Sequence, residues 1–204
     1  MNAELGARET DMNLFYYPAA CSIAGHIALI EAGLTYNILS IDHERTQDGR
    51  DFLSINPMGY IPTLEMDDGT VLTENQVILS YIAAQSGKLL PQDHMLKWRV
   101  FEALAFMSSE IHAAYAPFFR NFPESEKARS REKIKKAFAV LSKQMGNKAF
   151  LVSDEMTIAD CYLFWVLMVA PKSGVELPEN LQLCLDQMKT RPSVIQALAE
   201  EGLS

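Results

Sequence analysis

The chain of 204 residues is 49% hydrophobic and carries a net charge of −8. That acidic balance excludes nucleic acid or an anionic membrane as its main partner, because both demand a basic patch. No apolar run reaches the roughly 18 residues of a membrane span. The scattered Cys21, Cys161 and Cys184 show no metal-ligand spacing and point to a reducing, cytoplasmic compartment.

Residues 1–11 are polar and charged and read as a disordered leader. Met12 to Tyr17 predicts a strand, stopped by Pro18. Ser22 offers an N-cap to a helix whose Ile23, Ile27 and Ile30 share one face and whose end is marked by Gly33. Tyr36 to Ile41 reads as a second strand, reached by a right-handed parallel crossover. Residues 42–54 are polar, with room for one short helix. Asn56-Pro57-Met58-Gly59 has turn chemistry, and Ile61 to Met66 alternates as a strand with Pro62 at its entrance. Asp67-Asp68-Gly69 closes a hairpin onto Thr70 to Leu72, and Thr73 or Asn75 caps an amphipathic helix. The order βαβαββα over residues 12–88 is that of a thioredoxin-like α/β domain.

Beyond Leu90-Pro91-Gln92 the strand patterns disappear, so residues 93–204 predict an all-α bundle. Its first helix runs from Lys97 to Arg120 with Pro117 late in it, and the next from Glu124 to Met145, ended by Gly146. The Lys127 to Lys136 cluster alternates with apolar positions and reads as one solvated face. Thr157-Ile158-Ala159-Asp160 has the form of a capping box ahead of the apolar run Cys161 to Leu167. A helix apolar all round belongs in the middle of a bundle, with Asp160 as a buried cap. Two more helices, Glu179 to Lys189 and Ser193 to Gly202, are separated by Arg191-Pro192.

Chemistry concentrates between Asn56 and Asn75. A cis Ile61-Pro62 bond would turn the Ile61 N–H and C=O outward, where an extended peptide can pair with them. The helix start at Glu74-Asn75 offers N–H groups to a carboxylate, and the Glu74 side chain suits an ammonium. Cys21 stands at a strand-to-helix junction, where the positive helix end is expected to lower its pKa. Ala24 occupies the C-x-x-C position, which excludes an internal dithiol. His112, taken alone, is more often a structural histidine, and it has no metal-binding partner at the proper spacing.

The Asn56–Asn75 stretch resembles the glutathione-binding half of the cytosolic glutathione transferases. Pro18-Ala19-Ala20-Cys21-Ser22 resembles their bacterial, beta-type cysteine-containing class, and residues 12–204 follow the family pattern. The resemblance implies that the glutathione thiolate is conjugated to a hydrophobic electrophile by a homodimer without a metal. It assigns catalysis to Cys21, Ser22 and His112, and glutathione binding to Ile61, Pro62, Glu74, Asn75 and Arg45. The second substrate is expected in the interdomain cleft, near Tyr16, Tyr115 and Phe118. Departures from the pattern are Asn75 in place of Ser or Gly, Ala105 in place of a polar residue, and Ala113 in place of Lys. Two alternatives stay open: a glutathione-dependent thiol-disulfide reductase acting through Cys21, and a non-catalytic interaction protein that keeps the fold.

Overall fold

The computed structural model describes residues 12–203, and the leader expected at 1–11 lies outside the described residues. Strand β1 (Met12–Tyr16) is buried at every position except Asn13 and occupies the middle of the sheet. Helix α1 (Ile23–Ala32) carries the chain over to β2 (Tyr36–Asp42), which pairs parallel to β1 from Met12 opposite Tyr36 to Tyr16 opposite Ser40. Gly33, at φ 71°, closes α1 in the left-handed conformation that favours glycine. A two-residue strand not expected from the sequence, β3 (Arg45–Thr46), folds back on β2. A four-residue helix, α2 (Phe52–Ile55), follows, capped by the Asp51 carboxylate. Strands β4 (Thr63–Glu65) and β5 (Val71–Thr73) form an antiparallel hairpin, and β4 lies beside β1, giving the order β3-β2-β1-β4-β5. Helix α3 (Asn75–Ser86) completes the thioredoxin-like unit.

The rest of the described chain is helical. The long helix expected from Lys97 to Arg120 starts earlier, at α4 (His94–Phe106), because Asp93 caps it. It is then wound as a π-helix over Met107–His112 before α5 (Ala113–Phe119). π-helical turns recur at functional sites, where they change the direction in which side chains project. Helix α6 (Glu124–Met145) matches its expected bounds. Helix α7 (Ile158–Met168) starts with the capping box: Thr157 Oγ1 accepts the Ala159 N–H, and the Asp160 carboxylate accepts the N–H groups of Thr157 and Leu151. Every residue from Ile158 to Leu167 is buried. The chain ends in α8 (Ala170–Ser173), α9 (Glu179–Lys189) and α10 (Pro192–Glu200).

One apolar core runs from α1 and α3 into α7, so the sheet unit and the helices share buried surface. On the other sheet face Phe15, Ile41 and Phe52 form a smaller cluster. Arg50 covers it, with its guanidinium 5.3 Å from the Phe15 ring centre and a bidentate pair to Glu65 at 2.7 and 2.9 Å. His26, given no role beyond structure by the sequence, is fully buried in α1. Its ring nitrogens meet Glu200 at 2.7 Å and Glu201 at 3.2 Å, which docks the end of α10 onto α1.

Candidate active site

A cleft of about 470 Å³ opens where the two parts of the chain meet. From the sheet unit come Cys21, the loop from Asn56 to Pro62, and Thr73, Glu74 and Asn75. From the helices come Ser108, His112 and Tyr162. Buried Asn56 pins the loop: its Nδ2 donates to the Tyr60 carbonyl at 2.8 Å and to Thr63 Oγ1 at 3.0 Å, and its Oδ1 accepts the Met58 N–H. The Ile61-Pro62 bond is cis. The Ile61 N–H finds no acceptor among the described residues. Its carbonyl, expected to be unpaired as well, is instead met by the Cys21 thiol at 3.6 Å, because the cleft floor holds the two side by side.

The start of α3 also differs from expectation. Neither Thr73 nor Asn75 caps it. Glu74 occupies the cap position at φ 67° without a capping hydrogen bond. A non-glycine residue held there costs on the order of 1–3 kcal/mol, and such strain gathers at functional sites. Asn75 turns inward: its Nδ2 donates to the Cys21 carbonyl at 3.0 Å, and its Oδ1 is buried without a partner. The N–H groups of Asn75 and Gln76 meet no acceptor among the described residues, which leaves the helix end open to an anion.

The electrostatics of Cys21 overturn the expected drop in pKa. Burial pushes the thiol up to about 12, the Glu74 charge adds to the rise, and the Cys21 and Ser22 N–H groups oppose it without prevailing. Ser22 is neither an N-cap nor part of the cleft. Its backbone is already helical at φ −57°, and its fully buried hydroxyl donates to the Tyr17 carbonyl at 3.4 Å. His112 does reach the cleft. Burial pushes its pKa down to about 4, so the ring is neutral at pH 7. Its Nδ1 lies 2.6 Å from the Tyr162 hydroxyl, and its ring centre lies 4.4 Å from that of Trp165. Burial, together with the Cys21 and Glu74 acids, raises the pKa of the Tyr162 phenol.

Cys21, Ile61, Pro62, Glu74, Asn75 and His112 thus stand together, and the other sequence candidates do not. Arg45 sits on the exposed β2–β3 hairpin, where it donates to the Gly49 carbonyl at 3.2 Å. Tyr16 is buried in β1. Tyr115 is fully buried, with its hydroxyl on the Val166 carbonyl at 2.8 Å. Phe118 packs against Arg131, the guanidinium 5.5 Å from its ring centre. Burial of large aromatic area in the core competed with the pocket for these rings, and the core took them. Sequence reasoning missed Tyr162, which reads as one more core residue of an apolar helix. It also missed Ser108, whose spacing of four from His112 was the available signal. No group of three or more His, Cys, Asp or Glu side chains able to hold a metal occurs among the described residues.

Comparison with known proteins agrees with this geometry. The family model for the glutathione S-transferase N-terminal domain matches residues 20–85, and that for the C-terminal domain matches residues 106–184. Glutathione S-transferase GstA of Escherichia coli O157:H7 is 35% identical, over 94% of this chain and 100% of GstA. The ternary complex of BphK, a bacterial glutathione transferase, is 34% identical with a TM-score of 0.89, covering 94% of this chain and 100% of BphK. A sphingomonad glutathione S-transferase complexed with glutathione is 35% identical with a TM-score of 0.87, again over 94% and 100%. Since both halves match and the likeness extends across sheet, cleft and helices, the chain belongs to the glutathione S-transferase family of enzymes.

Proposed function

We propose that the cleft binds glutathione and conjugates its thiolate to a small hydrophobic electrophile. The observation that carries this reading is the convergence of the Ile61 backbone, the open start of α3 and the Glu74 carboxylate beside two neutral donors, Cys21 and His112. The unpartnered Ile61 N–H pairs with the peptide backbone, and the peptide's own N–H replaces the Cys21 thiol on the Ile61 carbonyl. Glu74 takes the γ-glutamyl ammonium, and the α3 N-terminus takes its carboxylate. Arg45 does not line the cleft, so the glycyl carboxylate is not assigned to it.

A thiol of pKa near 8.5 is a few per cent ionised at pH 7, and lowering it by two units gives roughly a 30-fold gain in thiolate. A Cys21 held protonated helps here, because it meets the glutathione sulfur as an S–H donor rather than as a second negative charge. The glutathione thiol gives its proton to water at the cleft mouth. A sulfur lone pair then forms the carbon–sulfur bond, and the leaving group departs with the electron pair of the bond it breaks. The protonated Cys21 argues against the reductase alternative, which needs it as an attacking thiolate.

The same reading places the sheet unit at 12–88 and the helical unit at 93–204, in a cytoplasmic homodimer. Exposed Val77 on α3 and Met95 and Trp98 on α4 support self-association. A monomer mass in light scattering would refute the dimer. The site is tested by calorimetric titration of the reduced protein with glutathione, alongside Glu74→Ala. Losing that charged contact should weaken binding by about 2 kcal/mol, or some 30-fold. Equal affinity in the two proteins would place glutathione elsewhere.

A further inference from the structure

We propose that Tyr162 is a positioning residue that holds His112 in its neutral Nε2–H tautomer, so that the imidazole meets the glutathione sulfur as a hydrogen-bond donor. This role rests on the conjugation reading of the cleft. The phenol oxygen and His112 Nδ1 are 2.6 Å apart, and one indole holds both rings. Tyr162 stacks on Trp165, with ring centres 6.0 Å apart and planes 13° from parallel, and His112 packs against the same indole.

The direction of the proton follows from the neighbours. The Asn75 amide must turn its nitrogen toward the Cys21 carbonyl 3.0 Å away, because that carbonyl can only accept. Among the described residues, the phenol of Tyr162 has one hydrogen-bond partner, His112 Nδ1. A buried phenol gives its proton to an acceptor, and the neutral ring's Nδ1, 2.6 Å away, is the one in reach. A neutral imidazole carries one N–H, which is then on Nε2. The opposite tautomer would present a lone pair to the thiolate.

Nitrogen-15 NMR of histidine-labelled protein near neutral pH, without substrate, reads the tautomer directly, and His112→Gln identifies the His112 signals. The expected result is a bare Nδ1 and a protonated Nε2 in the wild type, changing to mixed tautomers in Tyr162→Phe. In turnover, Tyr162→Phe should lower kcat roughly 10- to 100-fold, the scale on which partners that orient functional histidines act. KM for glutathione should stay within about twofold, and the pH profile of kcat/KM should move upward. In the His112→Gln background, where no tautomer exists to select, Tyr162→Phe should add little.

A wild-type Nδ1–H tautomer overturns the proposal, and that spectrum needs no variant to fold. An unchanged tautomer or an unmoved pH profile in well-folded Tyr162→Phe overturns it equally. A Tyr162-dependent Nε2–H tautomer in an enzyme that conjugates no electrophile upholds the tautomer assignment and sinks the conjugation reading instead.

Discussion

Helices α1 and α7 pack together, and both start with a hydroxyl residue close to an ionisable group, the Cys21 thiol at α1 and the Asp160 carboxyl at α7, yet the two starts are built differently. At α7, Thr157 is extended, with φ −127° and ψ 172°, so its oxygen reaches back to the Ala159 N–H while Asp160 closes the box. At α1 the chain is already turning before the helix begins. The Ile23 and Ala24 N–H groups bond to the Ala20 and Cys21 carbonyls, and Ser22 stands in the helical region with its hydroxyl directed backward. A serine at the right place in sequence caps a helix only if its own backbone is extended. Charge follows a second rule common to both. Burial leaves the Asp160 carboxyl above its ordinary range despite its hydrogen bonds, and it raises the Cys21 thiol despite two N–H groups. A helix end favours an anion by about 0.3–2 kcal/mol, and desolvation at a buried position exceeds that.

The sharpest way to break this comparison is to remove the box. Asp160→Ala strands the buried N–H groups of Leu151 and Thr157 as well as the Thr157 hydroxyl. Loss of the cap plus unpaired donors should cost about 3–4 kcal/mol, read as a lower denaturant midpoint with an unchanged m-value. A cost below about 1 kcal/mol would mean that the box is decoration on a helix held by its apolar faces alone.

His112 extends the comparison to a base. Its folded pKa of about 4 lies below its ordinary 6.5, so on acidification the unfolded chain takes up the proton first. Stability from this group is therefore complete above about pH 6.5, is lost as pH falls toward 4, and changes no further below that. The loss should reach up to about 3 kcal/mol. His112→Gln should flatten that part of the stability profile, and an unaltered slope would show that the ring is solvated.

The turn and hairpin of the Asn56–Asn75 segment were legible because turn and proline chemistry act locally, within a few residues, whereas the cap of α3 was not. The isomer of the Ile61-Pro62 bond was left open by that chemistry, and the structure has it cis. Asp160 was legible for the same local reason. The pocket walls were not, because a tyrosine's place depends on which partner its ring finds across the chain. Tyr115 and Tyr162 sit in comparably apolar helices, but one sends its hydroxyl to a backbone carbonyl and the other to His112. The π-helical turn over Met107–His112 left no trace in the apolar periodicity either, although it sets the face on which Ser108 and His112 stand. The sign of the Cys21 shift was misjudged because the sequence shows the helix end and hides the burial.

The smallest expected effect isolates the first rule. Ser22→Ala removes one long hydrogen bond, of 3.4 Å, to a Tyr17 carbonyl that also accepts the Ala20 N–H at 3.0 Å. No acceptor is orphaned, and the Ser22 N–H stays in place. The substitution should cost about 0.5 kcal/mol or less and leave conjugation within about twofold, whereas Thr157→Ala at the working cap should cost about 1–2 kcal/mol. A tenfold loss of turnover in Ser22→Ala with normal stability would mean that the hydroxyl swings into the cleft when glutathione arrives. The start of α1 would then be a rearranging catalytic element, and its unused cap would have to be explained by chemistry rather than by backbone geometry.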